Sequence, residues 1–178
     1  MLRLLTKYKN TVVPAMKKRF GYKNNLRVPK LDKVVLNVGL SQNSKDQKYI
    51  LMVEDTLKRI TGQKPVPKKA KKSISEFKIR QGQVIGLVVT LRGPRMYDFL
   101  DKLINLTLPR VRDFRGLREK SFDGQGNFSI GFRENIAFPE INPNEVEKLH
   151  GIEVTIGTTA KNNEEGLALL KLLGFPFR

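Results

Sequence analysis

Residues 64–93 read KPVPKKAKKSISEFKIRQGQVIGLVVTLRG. The first half is a cationic run of Lys64, Lys68, Lys69, Lys71 and Lys72, with Lys78 and Arg80 further on. The second half, Val84 to Arg92, is rich in Val, Ile, Leu and Thr, side chains that suit a pleated, half-buried surface. The two halves read as neighbouring strands joined by a long basic loop, Ala70 to Gly82. The rest of the chain reads as a scaffold that holds this hairpin against an anionic partner.

The composition supports an anionic partner. The chain has 178 residues, 34 Lys and Arg against 17 acids, and a formal net charge of +17. Such an excess repels itself in a compact state unless a polyanion neutralises it, and nucleic acid comes before a membrane surface. One domain, residues 1–178, is expected at this length. The absence of Cys excludes disulfides and thiolate zinc sites, and a lone His cannot build a histidine metal site. No metal and no cofactor are expected. No run approaches the ~18 apolar residues of a membrane span, and the N-terminus lacks a signal-peptide core. No membrane association and no homo-oligomer are expected.

Around the hairpin, hydrophobic periodicity sets out the other elements. Leu5, Tyr8, Val12 and Met16 give a helical stripe within 1–20, which Pro14 is expected to divide into two pieces, itself in the first turn of the second, and Gly21 to end. Leu31 to Leu40 alternates, with Val34, Leu36, Val38 and Leu40 on one side and Lys33, Val35, Asn37 and Gly39 on the other. Ser44-x-x-Gln47 reads as a capping box that starts a helix with Tyr49, Val53, Thr56, Leu57 and Ile60 on its apolar stripe, stopped by Gly62. Pro94 opens a further helix, burying Met96, Phe99, Leu100, Leu103 and Ile104 and ending before Pro109. Asn127 to Arg133 and Ile152 to Thr159 alternate again, and Glu164 to Leu173 reads as a short helix. The fold class is α+β: an open, mostly antiparallel sheet with amphipathic helices on one face and a polar face left bare.

That polar face is unusual. It carries Asn37 and Gly39, then Gly86, Thr90 and Arg92, then Ser129, Gly131 and Arg133, then Thr155 and Gly157. An ordinary solvent face carries long Lys, Glu and Gln, whereas here small residues alternate with hydrogen-bonding ones. Gly in a strand often marks close approach by another backbone, and amides and hydroxyls bond phosphate and sugar oxygens. The face therefore reads as a platform for RNA backbone, with Arg92 and Arg133 as phosphate ligands and Lys33 beside them. It lacks the sheet aromatics of an RRM, so RNA shape rather than splayed bases would be read. The loop 70–82 carries one acid, Glu76, and is expected to repel itself and stay mobile when free. Phe77, in its middle, is read first as an inward anchor, with base stacking as the alternative.

Several stretches also resemble a known family. GQKP from Gly62, KKSIS from Lys71, VTLRG ending at Gly93, LPRVRDFRG from Leu108, FDGQGNFSIG from Phe122 and FPEI from Phe138 are similar to the bacterial large-subunit ribosomal protein family number five, which binds 5S rRNA. The likeness runs in order over nearly the whole chain. It implies a place in the central protuberance of the large subunit, next to 5S rRNA, 23S-type rRNA and neighbouring large-subunit proteins. Carried over, the 5S rRNA contact falls on Asn37, Gln63, Thr90 and Arg92. The basic loop, with Lys71, Lys72, Ser73, Ser75, Phe77, Lys78, Arg80 and Gln81, resembles the family's contact to P-site tRNA. Arg110, Arg112, Asp113 and Arg115, with Glu134 and Asn142, resemble the region that meets a small-subunit head protein across an intersubunit bridge. The resemblance also implies a cytoplasmic ribosome, or an organelle ribosome of bacterial descent. Two departures stand out: Gln83-Val84 replaces a familiar Met-Pro, and Gly157 replaces a bulkier residue.

The rival readings are thinner. An enzyme would have to use His150 with Glu145 or Glu147, or Asp113 near Arg112. His150 instead reads as a cation at a helix end. Gly124-Gln125-Gly126 is half of a dinucleotide fingerprint without the strand and helix that should flank it, so a hairpin turn explains it better. A general basic RNA-binding or chaperone protein is the remaining alternative, and the missing stacking surface counts against it.

Overall fold

The 64–93 stretch folds as a hairpin in the computed structural model, which describes residues 3–40, 46–145 and 148–178. Strand β2 (Val66–Lys69) pairs antiparallel with β3 (Val84–Leu91), with a register shift between Lys68 and Lys69. With β1 (Leu31–Gly39), β4 (Phe128–Phe132) and β5 (Ile152–Thr158) they make one open five-stranded sheet in the order β2-β3-β1-β5-β4. All of its neighbours run antiparallel: Leu40 N–H donates to Ile85 O, Thr159 N–H donates to Lys30 O, and Thr158 N–H donates to the Asn127 side chain.

The chain gathers into two compact units, one of residues 1–34, 91–130 and 155–178, the other of residues 35–90 and 131–154. The first unit holds three helices: α1 (3–20), α3 (93–110) and α4 (Asn163–Leu173). Their apolar faces, among them Leu4, Val12, Met16, Met96, Phe99, Leu100, Leu103, Leu169 and Leu170, are buried with Val34, Leu91, Phe128, Ile130 and Ile156 of the strands. Helix α1 packs on α3 and α4, and Lys7 Nζ donates to Leu173 O at 2.8 Å. The second unit holds α2 (Gln47–Thr61), whose Tyr49, Val53, Thr56, Leu57 and Ile60 are all buried as the periodicity predicts. Leu36, Val38, Leu87, Val89, Phe132 and Val154 complete that core.

Pro14 lies in the first turn of the second helical piece, Val13–Phe20, as expected, whereas the helix expected to end before Pro109 runs on past it. In α1 a π-type turn, Tyr8–Val12, precedes Val13–Phe20, and Val13 N–H donates to Tyr8 O. In α3 the π-type turn Leu103–Thr107 lets the chain run on through Pro109 to Arg110. Proline has no N–H, and its ring collides with the carbonyl four residues back; one wider turn moves that carbonyl aside. The buried apolar residue in the first turn of α1 is Leu4, with Leu5 half-buried. The cap of α2 also differs. Ser44 lies outside the described residues, and Asp46 is the N-cap, accepting from the N–H groups of Lys48 at 3.0 Å and Tyr49 at 3.3 Å. Strand β3 ends at Leu91, and Arg92 is the extended residue before α3.

Candidate nucleic-acid interface

The outward side of the strands is built from neighbours that hold one another. In the second unit Asn37 lies over Gly86: a Cβ at position 86 would meet Val38 O at 3.1 Å and Asn37 Oδ1 at 3.7 Å. Asn37 Nδ2 donates to Glu153 Oε2 at 3.5 Å. Gln63, at the end of α2, reaches β3 and donates from Nε2 to Thr90 O at 3.4 Å. Thr90, Arg133, Gly39 and Gly131 are exposed, and nothing lies within 4 Å of the space above either glycine.

In the first unit the stem of Lys33 covers Gly157, where an added Cβ would meet Lys33 Cγ at 3.0 Å. A bulkier residue at 157 would push that stem away, which gives the departure at this position a structural role. Ser129 and Thr155 hydroxyls face each other across β4 and β5 at 3.0 Å. Arg92 is not free of partners. Its Nη1 lies 3.2 Å from Asp32 Oδ1, with the two side chains 58% and 46% exposed. A guanidinium carries five donors, so this pair fixes one edge and leaves the others to solvent or a ligand.

The reading of the strand glycines needs correction. The space at Gly86 is taken by the neighbouring backbone, Val38 O at 3.1 Å, with Asn37 Oδ1 beyond it at 3.7 Å, and that at Gly157 by the Lys33 stem, so both are filled from within the chain. Gly39 and Gly131 are the open ones.

The basic loop has its own local structure. Ala70 N–H donates to Gln83 O and Gly82 N–H to Ala70 O, which closes its base. Ile74 and Ile79 exchange N–H···O bonds, Lys78 N–H donates to Ser75 O, and Lys78 takes a left-handed backbone at φ 53°. Ser73 Oγ accepts from Gln81 N–H at 2.9 Å. Lys71, Lys72, Ser75, Lys78, Arg80 and Gln81 are exposed. Phe77, expected to anchor the loop inward, is 66% exposed at the tip beside half-exposed Ile74. A six-residue turn has no interior deep enough to bury a phenyl ring, so the ring projects.

The residues carried over for the intersubunit bridge fall in both units. In the first, Arg110, Arg112, Asp113 and Arg115 are exposed. Asp113 has a left-handed φ of 55°, and Arg112 Nε lies 3.9 Å from its carboxylate with both side chains over four-fifths exposed. In the second, Glu134 and Asn142 are exposed, and Asn142 Oδ1 accepts from Asn144 N–H at 3.2 Å.

The rival enzyme residues do not form a site. His150 is 5% exposed, edge-on to Tyr49 at 6.4 Å between ring centroids, and no described helix ends there. Burial pushes its pKa down, so it is neutral rather than the cation expected. The side chain of Glu145 and the whole of Glu147 lie outside the described side chains. Gly124 and Gly126 N–H groups both donate to Asn163 Oδ1, as a turn held by a helix start rather than a nucleotide loop. Among the described residues no His, Cys, Asp and Glu cluster could hold a metal ion, and no helix is long and apolar enough to cross a membrane.

One feature went unread in the sequence. Lys148 Nζ lies over the Tyr49 ring at 5.8 Å and 3.5 Å from Asp46, so the α2 cap is also an ion-pair partner. Its long separation along the chain left no local signal.

Comparison with known proteins points the same way. The family model described as ribosomal protein L5 matches residues 24–80, and that described as the ribosomal L5P family C-terminus matches residues 84–177. The large ribosomal subunit protein uL5 of Carboxydothermus hydrogenoformans is 55% identical over 177 residues, 99% of each chain. That of Desulfatibacillum aliphaticivorans is 54% identical over 178 residues, covering 100% of this chain and 99% of the relative. That of Roseiflexus sp. is 54% identical over 176 residues, 99% and 98% of the two chains.

Proposed function

From the chain's membership of the ribosomal protein L5 family, a bacterial-type structural component of the large ribosomal subunit and not an enzyme, we propose that it holds 5S rRNA on the outward side of its strands. The observation that carries this reading is the chemistry of that side: short amide and hydroxyl groups and open glycines at Asn37, Thr90, Gly39 and Gly131 with Arg133 in the second unit, and Lys33 and Arg92 in the first. Such groups bond sugar and phosphate oxygens of a folded RNA without needing its bases unstacked. Gln63 joins them through Thr90. Attachment of 5S rRNA to 23S-type rRNA and neighbouring proteins in the central protuberance follows from that contact.

The loop 70–82 is a second element, aimed at P-site tRNA. Its exposed lysines and Arg80 suit a phosphate backbone, and projecting Phe77 suits a base or sugar face. The exposed Arg110 to Arg115 segment, with Glu134 and Asn142, supports contact with a small-subunit head protein. A general RNA chaperone lacks the fixed, small-residue surface seen here.

The test is salt-dependent binding of 5S rRNA, with footprinting of the bound RNA. Neutralising about six phosphates gives a slope of log K against log salt near −4 to −5, between the single-strand and duplex values. A flat salt dependence, or protection scattered over unrelated RNAs as strongly as 5S rRNA, overturns the assignment.

A further inference from the structure

The first acid in the chain is Asp32, and nine Lys and Arg precede it among residues 3–30. Neither the strand face nor the basic loop uses them. Their placement explains part of this density. Gly21 ends α1 in a left-handed conformation at φ 68° and turns the chain back, so the Tyr22 and Phe20 rings lie 5.8 Å apart. Asn24 then caps a short 3-10 turn, Asn25–Arg27, by accepting from Leu26 N–H at 2.9 Å. Opposite is the start of α4, where Lys161 N–H donates to Glu165 Oε2 at 2.9 Å. Between them lies a cavity of about 490 Å³ lined by Phe20, Tyr22, Lys23, Arg27, Lys161 and Glu165, among others, all within the first unit.

That volume is in the ordinary range for small-ligand sites, roughly 300–1,000 Å³. Its lining has two halves. Lys23, Arg27 and Lys161 supply three cations against one carboxylate. Glu165 is engaged at the Lys161 N–H, and burial, helped by that carboxylate, pushes the Tyr22 phenol pKa up. The other half is aromatic. The Arg19 guanidinium lies over Phe20 at 5.3 Å, and the half-buried Tyr22 ring lines the cavity beside it. A cationic fork beside an aromatic ring fits a phosphate joined to a flat base. It does not fit an acidic peptide, which would gain nothing from the ring and would meet Glu165.

We propose that this cavity takes one unstacked nucleotide of a single-stranded RNA segment, with its phosphate at Arg27 and Lys161 and its base laid on Tyr22. This contact is separate from the strand face.

The test uses the full chain and a fluorescently labelled six-nucleotide RNA, read by anisotropy, with an abasic strand of equal charge as competitor. The double variant Arg27→Gln/Lys161→Gln is compared with Lys9→Gln/Lys18→Gln, which removes the same charge from exposed positions of α1. The cavity pair is expected to weaken binding about tenfold or more, and the control pair less than about threefold. The abasic strand should compete at least about fivefold less well than the natural one, since base–aromatic stacking is worth roughly that much. The strand-face reading is tested by the 5S rRNA affinity of Arg92→Ala and this one by the hexanucleotide affinity of the cavity pair, so failure of either is separable from failure of the other. Equal losses for the two charge pairs, equal competition by the abasic strand, or equal competition by a polyglutamate peptide of matched charge would each overturn the proposal.

Discussion

Arg92→Ala separates the binding and structural roles of the strand face. Arg92 is extended, at φ −138° and ψ 165°, and caps α3 without a side-chain bond, so alanine keeps its backbone. The substitution deletes an ion pair with Asp32 whose members are both about half exposed. Such pairs are worth about 0–1 kcal/mol, and a domain of this size loses about 2–4 °C of Tm per kcal/mol. The melting temperature should therefore fall by no more than about 4 °C. Binding of 5S rRNA has more to lose. A hydrogen bond to a charged group contributes about 1.5–3 kcal/mol, which is roughly a 10- to 150-fold change in Kd. The salt slope should shrink by about 0.7–0.9, one phosphate's share.

Asp32→Asn removes the same ion pair but keeps the guanidinium. A carboxylate about 6 Å from a phosphate, screened as in water, repels it by about 0.7 kcal/mol, so this variant should bind about threefold more tightly. Gel-shift titrations at three salt concentrations, beside thermal unfolding, measure all of these quantities. If Arg92→Ala stays within twofold of the parent with an unchanged slope, Arg92 is no phosphate ligand. If Asp32→Asn weakens binding as much as Arg92→Ala, the pair matters only as a structural unit.

Deleting Ser73 to Arg80 should leave 5S rRNA affinity within about threefold, because the base of the loop closes at Ala70, Gly82 and Gln83, but should weaken tRNA binding by ribosomes carrying the variant; loss of 5S binding instead would merge the two elements. Phe77→Ala should not change Tm, since the ring is 66% exposed, and should lower tRNA affinity; a large drop in Tm would show an anchoring role. Burial lowers the pKa of His150 in the folded state, so unfolding takes up a proton below about pH 6.5; its contribution is complete above that value and is lost as pH falls through the folded pKa. His150→Phe should therefore lose less Tm than the parent between pH 7.5 and 5, and parallel losses would disprove the linkage. Gly126 has φ 80°, and a Cβ there would meet Ala160 Cβ at 2.6 Å and Asn162 O at 2.7 Å, so Gly126→Ala should cost roughly 2–5 kcal/mol and about 5–15 °C of Tm by calorimetry; an unchanged Tm would mean that the turn relaxes freely.

Periodicity carried most of the fold. The alternation in Leu31–Leu40 and Phe128–Phe132 and the stripe Tyr49–Val53–Leu57–Ile60 each bury the side they predict. The misses have local causes. A proline in a helical pattern signals a break or a first turn, as at Pro14, and nothing in the residues around Pro109 marks the wider turn that carries the helix past it. The Ser44-x-x-Gln47 pattern drew the cap to Ser44, outside the described residues, and away from Asp46, an equally good capping residue two positions on. Of the candidate site, the outward residues were legible because strand parity fixes them. Their partners were not: Asp32 with Arg92, Asn37 over Gly86 and Lys33 over Gly157 depend on strand order, which a single strand's pattern does not contain. Phe77 was misread for a similar reason, since hydrophobicity says a ring prefers burial but not whether a cavity exists to receive it.

Those hidden partners change what the glycines do. Had Gly86 and Gly157 been left open, the strand face would be a bare backbone surface whose polar groups come from long, mobile lysines. Instead Gly86 admits the close approach of the β1 backbone at Val38 O, with the Asn37 amide beside it, and Gly157 lets the Lys33 stem lie along β5. Ser129 and Thr155 fix each other, and Asp32 fixes one edge of Arg92. Ordering a free long side chain on binding costs about 0.5–1.5 kcal/mol, so a face whose donors are already held avoids several such losses. A surface of this kind suits a rigid, folded RNA of fixed shape and suits a flexible strand poorly. The aromatic side chains lie elsewhere: Phe77 projects from the basic loop and Tyr22 lines the cavity beside α1, the two places proposed for contacts to unstacked bases.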